Sequence, residues 1–174
     1  GFVYGKLTIS DCTAYELEGT YISGTVVGST AGDGAVYGVR RGGTFVLESG
    51  RITGGKTTGT GGGGVIYTQG GTSAGAGGMV YMYGGEMVGV EGYNGGAICL
   101  GGGSAAYTPS AFYMYGGKIT GNYARNHGGG IYVVDWSILE IHGGEVTGNT
   151  VKNKGAAVYM AGANSKLTVS GAAK

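Results

Sequence analysis

The chain has 174 residues, 44 of them Gly and one Pro, and a helical fold is excluded because each Gly costs a helix about 1 kcal/mol relative to Ala. Hydrophobic residues at 41 %, without a Gly at every third position, exclude collagen and a flexible linker. Charged residues at 12 % with a net charge of +1 leave no electrostatic footprint for nucleic acid or an anionic membrane, and no apolar run nears the roughly 18 residues of a membrane span.

Without a leader at its start, the chain reads as one soluble domain over residues 1–174 that has been processed or excised. It opens with GFVYG (1–5), followed by KLTIS (6–10), YISGT (21–25) and GAVYG (34–38). The same three segment types then recur in order. TFVLESG (44–50), RITGG (51–55) and GVIYT (64–68) form one unit; MVYMYGG (79–85), EMVGV (86–90) and GAICL (96–100) form the next. AFYMYGG (111–117), KITGN (118–122) and GIYVV (130–134) precede ILEIHGG (138–144), EVTGN (145–149) and AVYMA (157–161), and KLTVSG (166–171) begins again. The anchors Ile9, Leu47, Met82, Met114, Ile141 and Val169 are 38, 35, 32, 27 and 28 residues apart, so loops absorb the length differences.

Each segment alternates apolar and polar positions, as Leu139 and Ile141 against Glu140 and His142, which is the period of a half-buried strand. A three-strand unit cannot bury its apolar face alone, and stacking like on like solves this. The expected fold is all-β, a right-handed parallel β-helix of about five to six rungs, its core columns reading Phe45, Val80, Phe112, Leu139, Leu167 and Val36, Ile66, Ile98, Ile131, Val158. A β-propeller would need four antiparallel strands in about 40 residues, whereas three fit here in 27.

The units at 116–133 and 143–160, with GGAI at 95–98, resemble the Gly-Gly-x-Ile-x-x-Asn repeats of extracellular right-handed β-helices. They are similar to polymorphic outer membrane protein repeats and to repeats in large surface adhesins of gut-dwelling Gram-positive bacteria. The resemblance covers most of residues 44–171, with Ile or Val before Thr-Gly-Asn where that family has Phe-x-x-Asn. It implies secretion and a role at the cell surface, commonly adhesion, and is unspecific for activity; the function expected is a structural or adhesin-type one.

Candidate functional residues lie in the outward columns. Tyr81, Tyr83, Tyr113 and Tyr115 should form a contiguous exposed patch, a flat ring platform for a host or cell-wall glycan or for a protein surface. A second aromatic column reads Tyr37, Tyr67, Cys99, Tyr132, Tyr159. Arg51, Glu86, Lys118 and Glu145 alternate in sign and act as a register device, while Asn122 and Asn149 share a turn column as a side-chain ladder or through left-handed backbone geometry.

Catalysis and cofactors are not expected. Asp11, Asp33 and Asp135 fall in separate units, which argues against the clustered carboxylates of polysaccharide-degrading β-helices; Glu140 beside His142 reads as a solvated pair. His127 and His142 lack companions at metal-ligand spacing. GRITGGKT (50–57) satisfies a phosphate-loop pattern, but the TGTGGGGVIYT that follows cannot begin the helix such a loop needs. Cys12 and Cys99 lie two rungs apart, roughly 10 Å, too far for a disulfide. At the two ends, Phe2, Val3 and Tyr4 resemble a third strand and Leu167, Thr168 and Val169 a first strand, so both present parallel edges to cover, either with flanking rungs or with further copies stacked into a fibre.

Overall fold

A computed structural model describes residues 2–3, 6–9, 15–17, 20–22, 25–31, 37–60, 63–64 and 66–174, with side chains from Tyr37 onward. Every element in it is a strand, and pairing between turns is parallel throughout. The chain is a parallel β-solenoid with three long sheets. The first contains Lys6–Ile9, Thr44–Leu47, Met79–Met82, Ala111–Met114, Ile138–Ile141 and Lys166–Val169; the third contains Phe2–Val3, Tyr37–Val39, Ile66–Thr68, Ile98–Leu100, Ile131–Val133 and Val158–Met160. Six strands stacked in each of these sheets make the five to six rungs expected; the four turns from Thr44–Leu47 to Lys166–Val169 are regular, and the turn ahead of Thr44 also carries an antiparallel pair, Tyr15–Leu17 with Thr20–Ile22.

Register in the first sheet follows the apolar anchors. Phe45, Val80, Phe112, Leu139 and Leu167 are successive partners, as are Leu47, Met82, Met114, Ile141 and Val169. The first four of the Phe45 column are wholly buried, whereas Leu167, on the last rung, is 44 % exposed. A one-residue slip would send each of these apolar sets to solvent, and that penalty holds the register.

Three expectations are corrected. YISGT is not the early second strand: Thr25–Ala31 pairs with Arg51–Thr57, Thr25 opposite Arg51 and Val26 opposite Ile52, while Tyr21 and Ile22 belong to the antiparallel pair. Tyr37, not Val36, stands opposite Ile66, so Tyr37 leaves the outward aromatic column, where Gly38 faces Tyr67. Its ring packs 5.1 Å from that of Phe45, and burial pushes its phenol pKa up to about 12. Lastly, a turn holds four strands rather than three, because the second sheet bends and continues. Glu91–Asn94, Tyr123–His127 and Thr150–Val151 follow Glu86–Val88, Lys118–Thr120 and Glu145–Thr147 within one sheet.

The bend is made by glycine. Gly89, Gly121 and Gly148 hold φ of 67°, 63° and 63°, the left-handed region that costs an L-residue about 1–2 kcal/mol. Just past it, Asn122 and Asn149 turn inward as a ladder, so of the two explanations for this column the ladder holds, and the left-handed residue is the preceding Gly. Asn122 Nδ2 donates to the Met87 carbonyl at 3.0 Å and to Asn149 Oδ1 at 2.9 Å, and Asn122 Oδ1 accepts from Val90 N at 3.2 Å. Asn149 Nδ2 donates to the Ile119 carbonyl at 2.8 Å.

The phosphate-loop match lies within the strand Arg51–Thr57, and no helix follows it among the described residues. Cys99 is buried; Cys12, and with it the expectation about a disulfide, lies outside the described residues. Tyr4, Asp11 and Asp33 lie outside them as well.

Candidate functional site

The outer face of the first sheet carries the most distinctive chemistry. Two columns run along it, the residues one and three positions after each inward aromatic or aliphatic anchor: Val46, Tyr81, Tyr113, Glu140, Thr168 and, beside it, Glu48, Tyr83, Tyr115, His142, Ser170. Strand alternation sends both outward. All four tyrosines of the expected patch come together, with Tyr83 53 % and Tyr115 45 % exposed and Tyr81 and Tyr113 half-buried.

The patch is not a flat platform. Tyr81 and Tyr83, on one rung, are side-by-side neighbours with centroids 6.4 Å apart and planes 7° apart. From rung to rung the rings overlap, Tyr81 on Tyr113 at 5.2 Å and 17° and Tyr83 on Tyr115 at 5.2 Å and 9°, which is offset stacking. His142 adds a third layer under Tyr115 at 5.1 Å and 15°. Ring faces are therefore used between layers, and solvent meets ring edges and phenol hydroxyls. The parallel register makes this inevitable, because it places like side chains about 4.8 Å apart. Desolvation, then its neighbour Tyr81, raises the Tyr113 phenol pKa.

The stack ends in a polar cluster. Glu140 Oε2 lies 3.1 Å from His142 Nε2, Lys166 Nζ donates to Glu140 Oε1 at 3.0 Å, and His142 Nδ1 is 2.9 Å from Ser170 Oγ. The Lys166 hydrogen bond, with His142 adding to it, holds the Glu140 carboxyl below the usual range. Hydroxyl, imidazole and carboxylate line up here in the order of a catalytic relay, yet they lie on an open surface and Lys166 neutralises the carboxylate. That geometry orders the imidazole and does not enclose a reacting group.

The other expected columns resolve as follows. Tyr67, Cys99, Tyr132 and Tyr159 stay in register, with Tyr132 and Tyr159 stacked at 5.7 Å and His127 on Tyr159 at 4.5 Å; only Tyr37 departs. Burial raises the Tyr132 pKa. The alternating charges face one another as expected, Arg51 with Glu86, Glu86 with Lys118 and Lys118 with Glu145, and the alternation reaches Lys174, 3.8 Å from Glu145. Arg51 Nε is 3.7 Å from Glu86, a long, exposed pair of little energetic weight. Phe2 and Val3 pair with Gly38 and Val39 in the third sheet, as a third strand should. On the last rung Lys166 N and Ser170 N donate back to the Ser137 and Ile141 carbonyls, so by alternation Thr168 also bonds backward, and the edge donors are Leu167 and Val169.

Two features escaped sequence reading. Asn94, Asn126 and Asn153 form a second, outer ladder, Asn126 donating to Asn94 at 2.9 Å and Asn153 to Asn126 at 2.8 Å. Glu91 gathers Lys56 at 2.9 Å and Arg125 at 3.3 Å, and the Arg125 guanidinium sits 5.5 Å from the Tyr93 ring centroid while donating to the Thr57 carbonyl at 2.6 Å. Both lie in the part of the second sheet beyond the Gly bend, which the three-strand repeat omitted. Asp135 takes two hydrogen bonds from Asn164, at 2.8 and 2.9 Å, and these bonds lower its pKa. No group of three His, Cys, Asp or Glu capable of holding a metal occurs among the described residues. Compared with protein-family models, curated proteins and solved structures, the chain matches none, so the resemblance to surface-protein repeats stands only at the level of a parallel solenoid.

Proposed function

We propose that this chain is a non-enzymatic, adhesin-type segment of an extracellular surface protein, a rigid solenoid that displays a binding strip for host or cell-wall glycans. One observation carries the proposal: four outward tyrosines on two adjacent rungs stack into a single block that His142 extends, on a sheet face that carries no other aromatic side chain among the described residues. Stacked rings are pre-ordered, so a ligand that meets their edges and hydroxyls loses little side-chain entropy on binding. Tyr combines apolar area with a polar tip, which suits sugar hydroxyls and C–H faces together. The open, unenclosed shape of this strip is compatible with a long, flat polymer rather than a small metabolite.

Retention of the wild-type chain on a glycan array, with at least tenfold weaker signals for the Tyr83→Ala/Tyr115→Ala double variant of unchanged far-UV spectrum, is the expected result. A wild-type chain that binds no glycan, or a double variant that binds as well as wild type, removes the proposal.

A second reading concerns the Lys166–Val169 rung, where Leu167 and Val169 are 44 % and 60 % exposed and are to be covered either by flanking rungs or by a further copy. Copies that stack end to end would cover them and extend the sheets into a fibre.

A further inference from the structure

Among glutamates whose side chains are described, Glu86, Glu91, Glu140 and Glu145 each face a cation: Arg51 at 3.7 Å, Lys56 at 2.9 Å, Lys166 at 3.0 Å and Lys174 at 3.8 Å. Glu48 differs. It is exposed, and it has no ion pair among the described residues. Its position in the fold is specific: the Leu47–Met82 pairing and the Tyr83 N–H bond to the Leu47 carbonyl, at 2.8 Å, put Glu48 directly beside Tyr83 in the outward column.

The tyrosine block has two ends. Towards the last rung it is closed by His142, which stacks on Tyr115 and is itself held by Glu140 and Ser170. Towards the first rung it ends at Tyr83, the most exposed of the four rings, next to the exposed Glu48 carboxylate, which has no ion pair among the described residues. A ring face and a carboxylate side by side form the two halves of a site for a cationic group, one through the ring quadrupole and the other by direct ion pairing.

We infer that Glu48 and Tyr83 form an amine subsite at the Glu48 end of the strip, so that the glycan it takes is a polymer of amino sugars with free ammonium groups. This rests on the glycan function proposed above and narrows its ligand class. The ammonium sits on the outer side of the Glu48 carboxylate and the neighbouring Tyr83 ring, and the remainder of the polymer runs along the tyrosine hydroxyls towards the Glu140–His142 cluster. Each of the two contacts contributes about two- to fivefold in affinity at an exposed site, and the ionic one weakens as salt rises.

Titration of the full chain with a β-1,4-linked glucosamine tetramer and with its fully N-acetylated counterpart, at low and at raised salt, tests this. Wild type should bind the free-amine tetramer about three- to tenfold more tightly than the acetylated one, with the preference shrinking in salt. Glu48→Gln, a change at an exposed position, should abolish the preference while keeping the weaker binding, and Tyr83→Ala should weaken both. Equal affinities for the two tetramers, or a preference that survives Glu48→Gln, overturn the amine subsite and leave glycan binding standing. Binding to neither tetramer while the array shows other glycans likewise overturns the amine subsite alone. Retention on a lysine-rich peptide alone would transfer the subsite to a protein partner and overturn the amino-sugar assignment, and an array blank for all glycans removes both proposals.

Discussion

Asn122 is wholly buried, and its side chain satisfies the Val90 N–H and the Met87 carbonyl in the preceding rung while contacting Asn149 in the next. A buried amide that closes three hydrogen bonds costs the fold little while paired, but removing it strands the groups it served. Truncation by Asn122→Ala should therefore destabilise the chain by about 1–3 kcal/mol, read as a lower urea midpoint at unchanged slope. A loss below a few tenths would mean that water replaces the amide at this corner. The preceding rung has Val90 at the same place, so the ladder stops there and the corner is filled by an apolar side chain instead. Alignment of TGN with TGN suggested the column; the inward direction of the Asn was not legible, because Asn is as common at exposed turns and only the packing of successive corners decides.

At the scale of the element, the glycines divide into two kinds that composition alone cannot separate. Gly121 has φ of 63°, and a Cβ built there would have Val88 Cγ2 at 3.6 Å as its nearest neighbour, so space is available and only the backbone conformation resists a side chain. Gly96 is the reverse: its φ is not left-handed, yet a Cβ would lie 2.1 Å from the Gly129 carbonyl oxygen of the next rung. Gly121→Ala should cost about 1–2 kcal/mol and leave the sheets intact. Gly96→Ala must push two rungs apart and should cost distinctly more, with loss of cooperativity in thermal melts; equal effects would show that the rungs flex freely. The strands themselves were legible because alternation in segments such as ILEI and AFYM has one solution that buries every apolar residue. Glu91–Asn94 and its equivalents were not, since EGYN and TV carry little alternation and their strand character comes from neighbours already in register.

A solenoid is bound only to itself, rung to rung, and its stability is approximately a chain of nearest-neighbour terms. The column Phe45, Val80, Phe112, Leu139, Leu167 makes this visible, since the same inward position is wholly buried on four rungs and 44 % exposed on the fifth. Cavity costs should follow: Phe112→Ala about 3–5 kcal/mol, Leu167→Ala much less because solvent already reaches it. Amide exchange should run in the same order, slowest in Ala111–Met114, where both neighbours are present, and fastest in Lys166–Val169, where one is. Fibre formation predicts an exception that depends on concentration. If copies cover the last rung, the Leu167 and Val169 amides, which face the open edge, should gain protection as the chain is concentrated, whereas those of Lys166, Thr168 and Ser170, already bonded to the preceding rung, should not. Val169→Pro removes one edge donor without touching a bond inside the molecule, so it should suppress the gain and shorten any fibres while leaving the monomer's melting unchanged. Protection of Leu167 and Val169 that stays constant over a hundredfold range of concentration would exclude end-to-end stacking and leave a scaffold that works by its outer face alone.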